Sequence, residues 1–254
     1  MPCDAGTLAL SLPPPPSRLD RAALFLDLDG VLAPLAATPD AVGPDGRRTA
    51  VLRLLDQRLD GRLAIVSGRT LAEIDRISGA AAPSASGVHG LQRRRRDGSL
   101  ANRPASPGVR VAIAAFSAFA ARRPGVIVED KGVSAGLHFR QAPEAEGDAA
   151  RLARNLADKT GLSLQPGSMV LELKTPGADK GSAITAFMAE APFRGAVPIM
   201  LGDDLTDEHG FRAAGALGGF GVLVGPSRDT AARYRLDDVD SVMTWLEAVA
   251  ETSA

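Results

Sequence analysis

Cysteine is almost absent from this chain. Cys3 is the single one in 254 residues, which excludes an intramolecular disulfide and a cysteine-built metal cluster and suits a reducing compartment. No apolar run approaches the roughly 20 residues of a membrane helix. The N-terminus has no basic segment leading into an apolar one with a cleavage site, so no signal peptide is read. A cytoplasmic location with no membrane partner is therefore expected. Aromatic residues make up 4% and the net charge is −1, so the chain offers neither a stacking surface nor a global field for nucleic acid. Lysine is scarce as well, with 4 against 25 arginines. A lysine kept in such a chain marks a place where a compact ammonium is needed and a planar fork will not fit. Of Lys131, Lys159, Lys174 and Lys180, only Lys159 reads as an ordinary helix-surface residue.

What is present is an ordinary globular balance, 45% hydrophobic and 23% charged, on a length that fits one large domain or a core with an insert. The stretch around which the rest is organised is Leu24 to Leu32, an apolar run that ends in Asp27-Leu28-Asp29-Gly30-Val31. Such a run fits a buried strand of a parallel sheet. Buried strands rarely carry two carboxylates unless something compensates their charge. Residues i and i+2 of a strand point to the same side, so Asp27 and Asp29 can converge on one point. At the carboxyl edge of an open α/β sheet that point is where ligands bind.

The periodicity predicts a helix over 49–59, a buried strand over 63–66 and a helix over 70–77, the rhythm of a parallel sheet with crossover helices. Ser67 then also sits at a strand end near a helix N-terminus, where a hydroxyl beside free N–H groups suits a phosphate oxygen. A simple N-cap is the plain alternative. His89, in Val88-His89-Gly90, is either a turn histidine or a substrate contact. Arg93 to Arg96 read as a solvated hairpin face.

The rhythm changes near 104–108. A helix over 109–123, strands over 125–130 and 134–140, a helix over 144–160 and a hairpin over 162–165 and 169–173 give an αββαββ block, read as an inserted α+β domain. Strand–helix alternation then resumes. Lys180 opens a helix that runs to about residue 191, a position the helix dipole does not favour for a cation, which suggests that it serves an anion elsewhere. The strand over 197–201 ends in Gly202-Asp203-Asp204-Leu205-Thr206-Asp207-Glu208, four acids within six residues that repel one another unless cations are present. A short strand over 221–225 and a helix over 241–250 close the chain. Residues 1–20, with Pro13 to Pro16, are expected to be a disordered or extended arm.

Taken in order, Asp27-Leu28-Asp29-Gly30-Val31, Ser67, Lys180 and Gly202-Asp203-Asp204-Leu205-Thr206-Asp207-Glu208 resemble the four motifs of the haloacid dehalogenase (HAD) superfamily of aspartate-nucleophile phosphatases. Ile65-Val66-Ser67-Gly68-Arg69, His89-Gly90 and the form of the fourth motif are similar to its trehalose-phosphate phosphatase subgroup. The resemblance implies a doubly wound, Rossmann-like parallel-sheet core at 21–107 and 177–254 and a cap domain at 108–176. It implies Asp27 as nucleophile, Asp29 as general acid and base, and Ser67, Gly68 and Lys180 on the phosphate. Mg²⁺ would be held by the Asp27 carboxylate, the Asp29 main-chain carbonyl and Asp203, with Asp204 and Asp207 close behind.

In the insert, Glu129-Asp130-Lys131-Gly132-Val133-Ser134, His138-Phe139-Arg140 and Glu172-Leu173-Lys174 resemble the sugar-reading strings of the same subgroup. Lys131, Ser134, His138, Arg140, Glu172 and Lys174, with Arg69 and His89 of the core, are the expected substrate contacts. A solvated strand face bearing an ion pair is the plain alternative for the insert. The activity implied is Mg-dependent hydrolysis of trehalose 6-phosphate through an aspartyl-phosphate, by a monomer that pairs functionally with a trehalose-phosphate synthase. Another capped sugar-phosphate phosphatase, acting on sucrose phosphate, mannosyl phosphoglycerate or a hexose phosphate, is the alternative. A non-catalytic regulatory subunit of the same fold fits less well, because Asp27, Asp29, Lys180 and Asp203 are all intact.

Overall fold

The structure is a computed structural model and describes residues 12–36 and 41–252. It divides into two compact units, one from Met1–Leu100 with Asp179–Ala254 and the other from Ala101–Ala178. The first is built on β1 (Ala22–Leu26), β2 (Leu63–Val66), β3 (Ser84–Gly87) and β4 (Gln92–Arg94). The insert supplies β5 (Ile127–Asp130), β6 (Ser134–His138), β7 (Ser163–Gly167) and β8 (Val170–Lys174). β9 (Val197–Gly202), β10 (Phe220–Val224) and β11 (Tyr234–Leu236) return to the first sheet. The helices are α1 (Gly46–Arg58), α2 (Leu71–Ser78), α3 (Gly108–Ala120), α4 (Glu146–Thr160), α5 (Lys180–Met188), α6 (Glu208–Ala216) and α7 (Val239–Thr252).

The seven strands of the first sheet run β11-β10-β9-β1-β2-β3-β4, parallel except for β4. β1 shows why the fold is doubly wound. All five of its residues are buried, and they alternate between two cores. Ala22, Leu24 and Leu26 pack with Leu52 and Leu55 of α1, Ile74 and Ile77 of α2 and Leu246 of α7. Ala23 and Phe25 face the opposite layer, with Ile184 and Phe187 of α5, Phe193, and Phe211 of α6. A strand apolar on both faces needs a helix layer on each. The chain moves from β1 outward through β2 and β3 on one side, and from β9 to β10 on the other. The strand order therefore reverses at β1, the place where open α/β sheets bind ligands.

The second unit is an antiparallel sheet of order β5-β6-β8-β7 with α3 and α4 on one face, the α+β arrangement αββαββ expected of the insert. Ala135, Leu137, Leu171 and Leu173 turn to that helical face with Val109, Phe116 and Leu156. By the period of two, Ser134, Gly136, His138, Glu172 and Lys174 share the other face.

Some expectations change. α6 has no signal in the sequence: with Gly210 and Gly215 its helix propensity is poor. It forms because it packs closely, since a Cβ at Gly210 would lie 3.0 Å from Met200 Cγ while Phe211 and Ala214 fill the core. β11, three residues long, is too short to show periodicity. Arg93–Arg96 are not simply a solvated face, because each is paired with an acid. Arg93 and Arg95 bond Glu190, Arg94 forks onto Asp75 of α2, and Arg96 pairs with Asp56 of α1. The alternation of an edge strand sends successive arginines to acids on opposite faces, which charges and covers the sheet edge. The arm is tied down where it is described: Arg235 N–H donates to Pro13 O and Trp245 Nε1 to Pro16 O, so 12–17 is fixed without regular secondary structure. Residues 1–11 lie outside the described residues.

Candidate active site

Register places the candidate residues. Leu26 pairs with Ile65 and with Leu201, so β1, β2 and β9 end together, and Asp27, Ser67 and Asp203 stand at three adjacent carboxyl ends. Asp27 N–H still bonds Leu201 O at 3.0 Å, continuing the strand into the site. The chain then turns: Gly30 N–H bonds Ala33 O, and Ala33 N–H bonds Leu28 O. These closing bonds leave the Asp29 carbonyl out. Gly30 has φ +74, and a Cβ there would fall 2.1 Å from Asp203 Oδ2, so only glycine lets this turn press against that carboxylate.

Lys180 occupies the centre. Asp179 caps α5, accepting from Ser182 N–H, so the helix start is satisfied without an acidic first turn. The Lys180 ammonium is free to point inward, 2.7 Å from Asp27 Oδ2 and 2.6 Å from Asp207 Oδ1, and is 2% exposed. The carboxylates of Asp27, Asp203 and Asp207 have oxygens within 4.8 Å of one another. Asp207 is saturated: Oδ1 takes Lys180, and Oδ2 takes the N–H groups of Asp203 and Asp204 at 3.0 Å each. It therefore positions the loop, although its carboxylate lies among the clustered oxygens. Asp204 is exposed and bonds Leu205 N–H, capping the short turn 205–207, which turns it away from the cluster.

Burial pushes the Asp27 carboxyl well above its usual range, and Asp207 and Asp203 add to this against the pull of Lys180. Asp203 is pushed up to about 7, first by burial and then by Asp207. Such carboxylates accept a hard cation readily, because it supplies the charge that their surroundings lack. The clustered donors, the carboxylates of Asp27, Asp203 and Asp207, are all oxygen, which suits a hard divalent cation and not a soft metal.

The Asp29 carboxylate is not in this cluster. Arg69 grips it with a fork, Nε and Nη2 each at 2.8 Å, and also reaches Glu73 at 3.1 Å. Arg69 was expected on the substrate; here it bonds the residue expected to act as acid and base. Ser67 is buried, and its Oγ accepts from Arg69 N–H at 3.2 Å. His89 N–H donates to Ser67 O, and Val88 N–H to Arg69 O, strapping the loop after β3 to the loop after β2. His89 has φ 52, rare for a non-glycine, and its ring lies so close to Gly68 that a Cβ there would be 2.5 Å from Nε2. Gly68 thus makes room for the imidazole.

In the second unit, Lys131 Nζ lies 3.1 Å from Glu172 and 3.7 Å from Glu129, and Glu129 also meets His138 Nε2 at 2.9 Å. Lys131, Glu172 and His138 therefore form one network through Glu129, which is not among the residues expected from sequence. The signal was available in the Glu129-Asp130-Lys131 alternation. Lys174 donates to Ala178 O at 3.2 Å, and the buried Ser134 is its register partner. Arg140 is exposed and bonds Ser168 at the β7–β8 turn, outside the network.

A parallel sheet whose switch point carries an aspartate cluster bridged by lysine, with a serine beside it, is the arrangement that the four sequence motifs imply. A HAD phosphatase from Bacteroides thetaiotaomicron, BT1666, has the same fold, with TM-score 0.59, 19% identity, and coverage of 93% of this chain and 97% of that one. The family model described as trehalose-phosphatase matches residues 25–240, and the chain belongs to that family. It is 39% identical over 230 residues to the trehalose-6-phosphate phosphatase of Escherichia coli K12, covering 89% of this chain and 86% of that protein. The C-terminal domain of Candida albicans trehalose-6-phosphate phosphatase shares the fold, with TM-score 0.81, 21% identity, and 94% and 98% of the two chains covered. The chain is thus an enzyme, a phosphatase of this family. Among the described residues no helix is long and apolar enough to cross a membrane.

Proposed function

We propose that the chain hydrolyses trehalose 6-phosphate to trehalose and phosphate, and that it does so with Mg²⁺ and through a phosphorylated Asp27. The observation that carries this reading is the Lys180 ammonium held between Asp27 and Asp207 beside Asp203. A bound Mg²⁺, held by Asp27, the Asp29 carbonyl and Asp203, would neutralise charge on the transferring phosphoryl group. An Asp27 oxygen attacks phosphorus and the bond to the sugar oxygen breaks. Asp29, in its acid form, gives that oxygen a proton. Asp29 then takes a proton from the water that attacks the phosphoryl-aspartate, releasing phosphate and restoring Asp27. For either transfer Asp29 must leave the Arg69 fork, so that ion pair is a resting arrangement. Two of the three Lys180 donors are engaged by Asp27 and Asp207, and the third, with Ser67 and the Gly68 main chain, takes phosphate oxygens.

These parts accept any phosphate ester. Selection falls to the second unit, where Lys131 and Glu172, together with Ser134, His138 and Lys174, offer donors and acceptors to sugar hydroxyls. The remaining parts of the reading are a monomer in the cytoplasm, with a trehalose-phosphate synthase supplying the substrate. The test is phosphate release from trehalose 6-phosphate and from glucose 6-phosphate at equal enzyme, with and without EDTA. A clear preference for the first, abolished by EDTA and restored by Mg²⁺, is the result expected. Equal rates would return the reading to a general hexose-phosphate phosphatase.

A further inference from the structure

Arg228 lies in the connection between β10 and β11, and nothing in its local sequence marks it. Its guanidinium reaches back 25 residues to the acidic loop. Nη2 donates to the main-chain carbonyls of Asp203 at 3.4 Å and Asp204 at 3.0 Å. Nη1 bonds the Glu208 carboxylate at 2.5 Å and Asp229 O at 3.1 Å. From the other side, Asp207 Oδ2 takes the N–H groups of the same two residues. The Asp203–Asp204 dipeptide is therefore held at all four of its main-chain polar groups, by a carboxylate on its donors and a guanidinium on its acceptors.

We propose that Arg228 is a positioning residue, which sets the direction of the Asp203 carboxylate through the main chain and so tunes metal affinity. This rests on the metal role assigned to Asp203 above. Magnesium demands near-ideal octahedral geometry at short distances, so a small rotation of one ligand costs affinity. The planar guanidinium holds both carbonyls through Nη2 while Nη1 holds Glu208, three directed contacts that the single ammonium of lysine cannot reproduce. A guanidinium so near a cation site would oppose a metal by charge alone. Glu208 cancels it, and is itself fixed by Thr230 Oγ1 at 2.7 Å and Ala231 N–H at 2.8 Å. Glu208 is buried at the first position of α6, where the helix end also favours an acid. The pair thus adds geometry to the loop without adding net charge.

The experiment is calorimetric titration of Mg²⁺ into metal-free R228K, without substrate, beside melting in EDTA and turnover at rising Mg²⁺. A dissociation constant raised about tenfold or more is expected, with the melting temperature in EDTA within about 2 °C of the unmutated protein. Turnover at saturating Mg²⁺ should return to within about twofold, since the chemistry is untouched. The double variant R228Q/E208Q, which removes the guanidinium and its anchor without changing the net charge beside the site, should shift the constant in the same direction, and it carries the test if R228K does not fold. An unchanged Mg²⁺ constant in a folded variant, with or without a drop in melting temperature, would overturn the assignment and leave the proposed function standing. Failure of the unmutated protein to bind Mg²⁺ would overturn both.

Discussion

Replacing Lys180 by methionine removes the ammonium that lies between Asp27 and Asp207 while keeping a side chain of similar reach. Lys180 is 2% exposed and Asp207 fully buried, so water cannot take its place. What is left is three carboxylates with oxygens within 4.8 Å of one another. At that distance and an effective dielectric near 20, each ionised pair repels by about 3 kcal/mol. The carboxyls protonate before bearing all of that, and removing one partner from a buried pair typically costs about 3–5 kcal/mol. At roughly 2–4 °C per kcal/mol for a chain of this size, melting in EDTA at pH 8 should fall by about 6–20 °C. The pH dependence follows from the direction of the shifts. An acid whose folded pKa is raised costs stability above that pKa and nothing below its unfolded value. Asp27 is raised and Asp203 stands at about 7 even with Lys180 present, so without it both are raised further. Lys180 itself is raised, and its contribution is complete at any pH below its ordinary value of 10.5, so it does not shape this window. The gap between variant and unmutated protein should therefore narrow from pH 8 to pH 5.5. Scanning calorimetry in EDTA at the two pH values reads both effects. A gap below about 2 °C at pH 8, or one that does not narrow in acid, would refute the reasoning.

Asp27→Asn should retain the fold and reduce phosphate release to less than about a hundredth, because an amide is a poor nucleophile; more residual turnover than that would dismiss the covalent route. Glu172→Ala should slow trehalose 6-phosphate hydrolysis by about tenfold or more, in line with a charged hydrogen bond of about 1.5–3 kcal/mol. It should spare p-nitrophenyl phosphate, and an equal loss on both esters would assign Glu172 to the fold. The Arg93 and Arg95 guanidiniums beside Glu190 hold its carboxyl down at about 2 against an ordinary 4.5. Its stabilisation is therefore complete above pH 4.5 and lost as pH falls toward 2. Glu190→Gln should cost about 1 kcal/mol at pH 7, the bridge being screened by solvent, with the difference vanishing near pH 2 in a urea titration.

The strands of the core were legible because burial on both faces writes itself as unbroken apolar runs, and the candidate site because carboxylates and a serine follow those runs at their ends and a lysine opens a helix. Asp27, Ser67 and Asp203 needed only the rule that parallel strands end together, whereas Lys180 stood out as a cation at a helix start. The insert was visible as a change of rhythm, and Glu172 and Lys174 as alternation along one strand. Sequence could not show what depends on partners remote in the chain. Arg93 to Arg96 look like a solvated run until α1, α2 and Glu190 bring acids to both sides of the sheet edge. α6, poor in propensity, exists because Gly210 fits against Met200 and Phe211 fills the core. Asp29 resting on Arg69, the exclusion of Asp204 from the cluster and the grip of Arg228 on the acidic loop are likewise tertiary. Local pattern records whether a side chain should be buried and which face it takes. Which charge meets which is decided only when the crossovers bring distant strand ends together, because a buried ion's energy depends on its nearest neighbours in space and not in sequence.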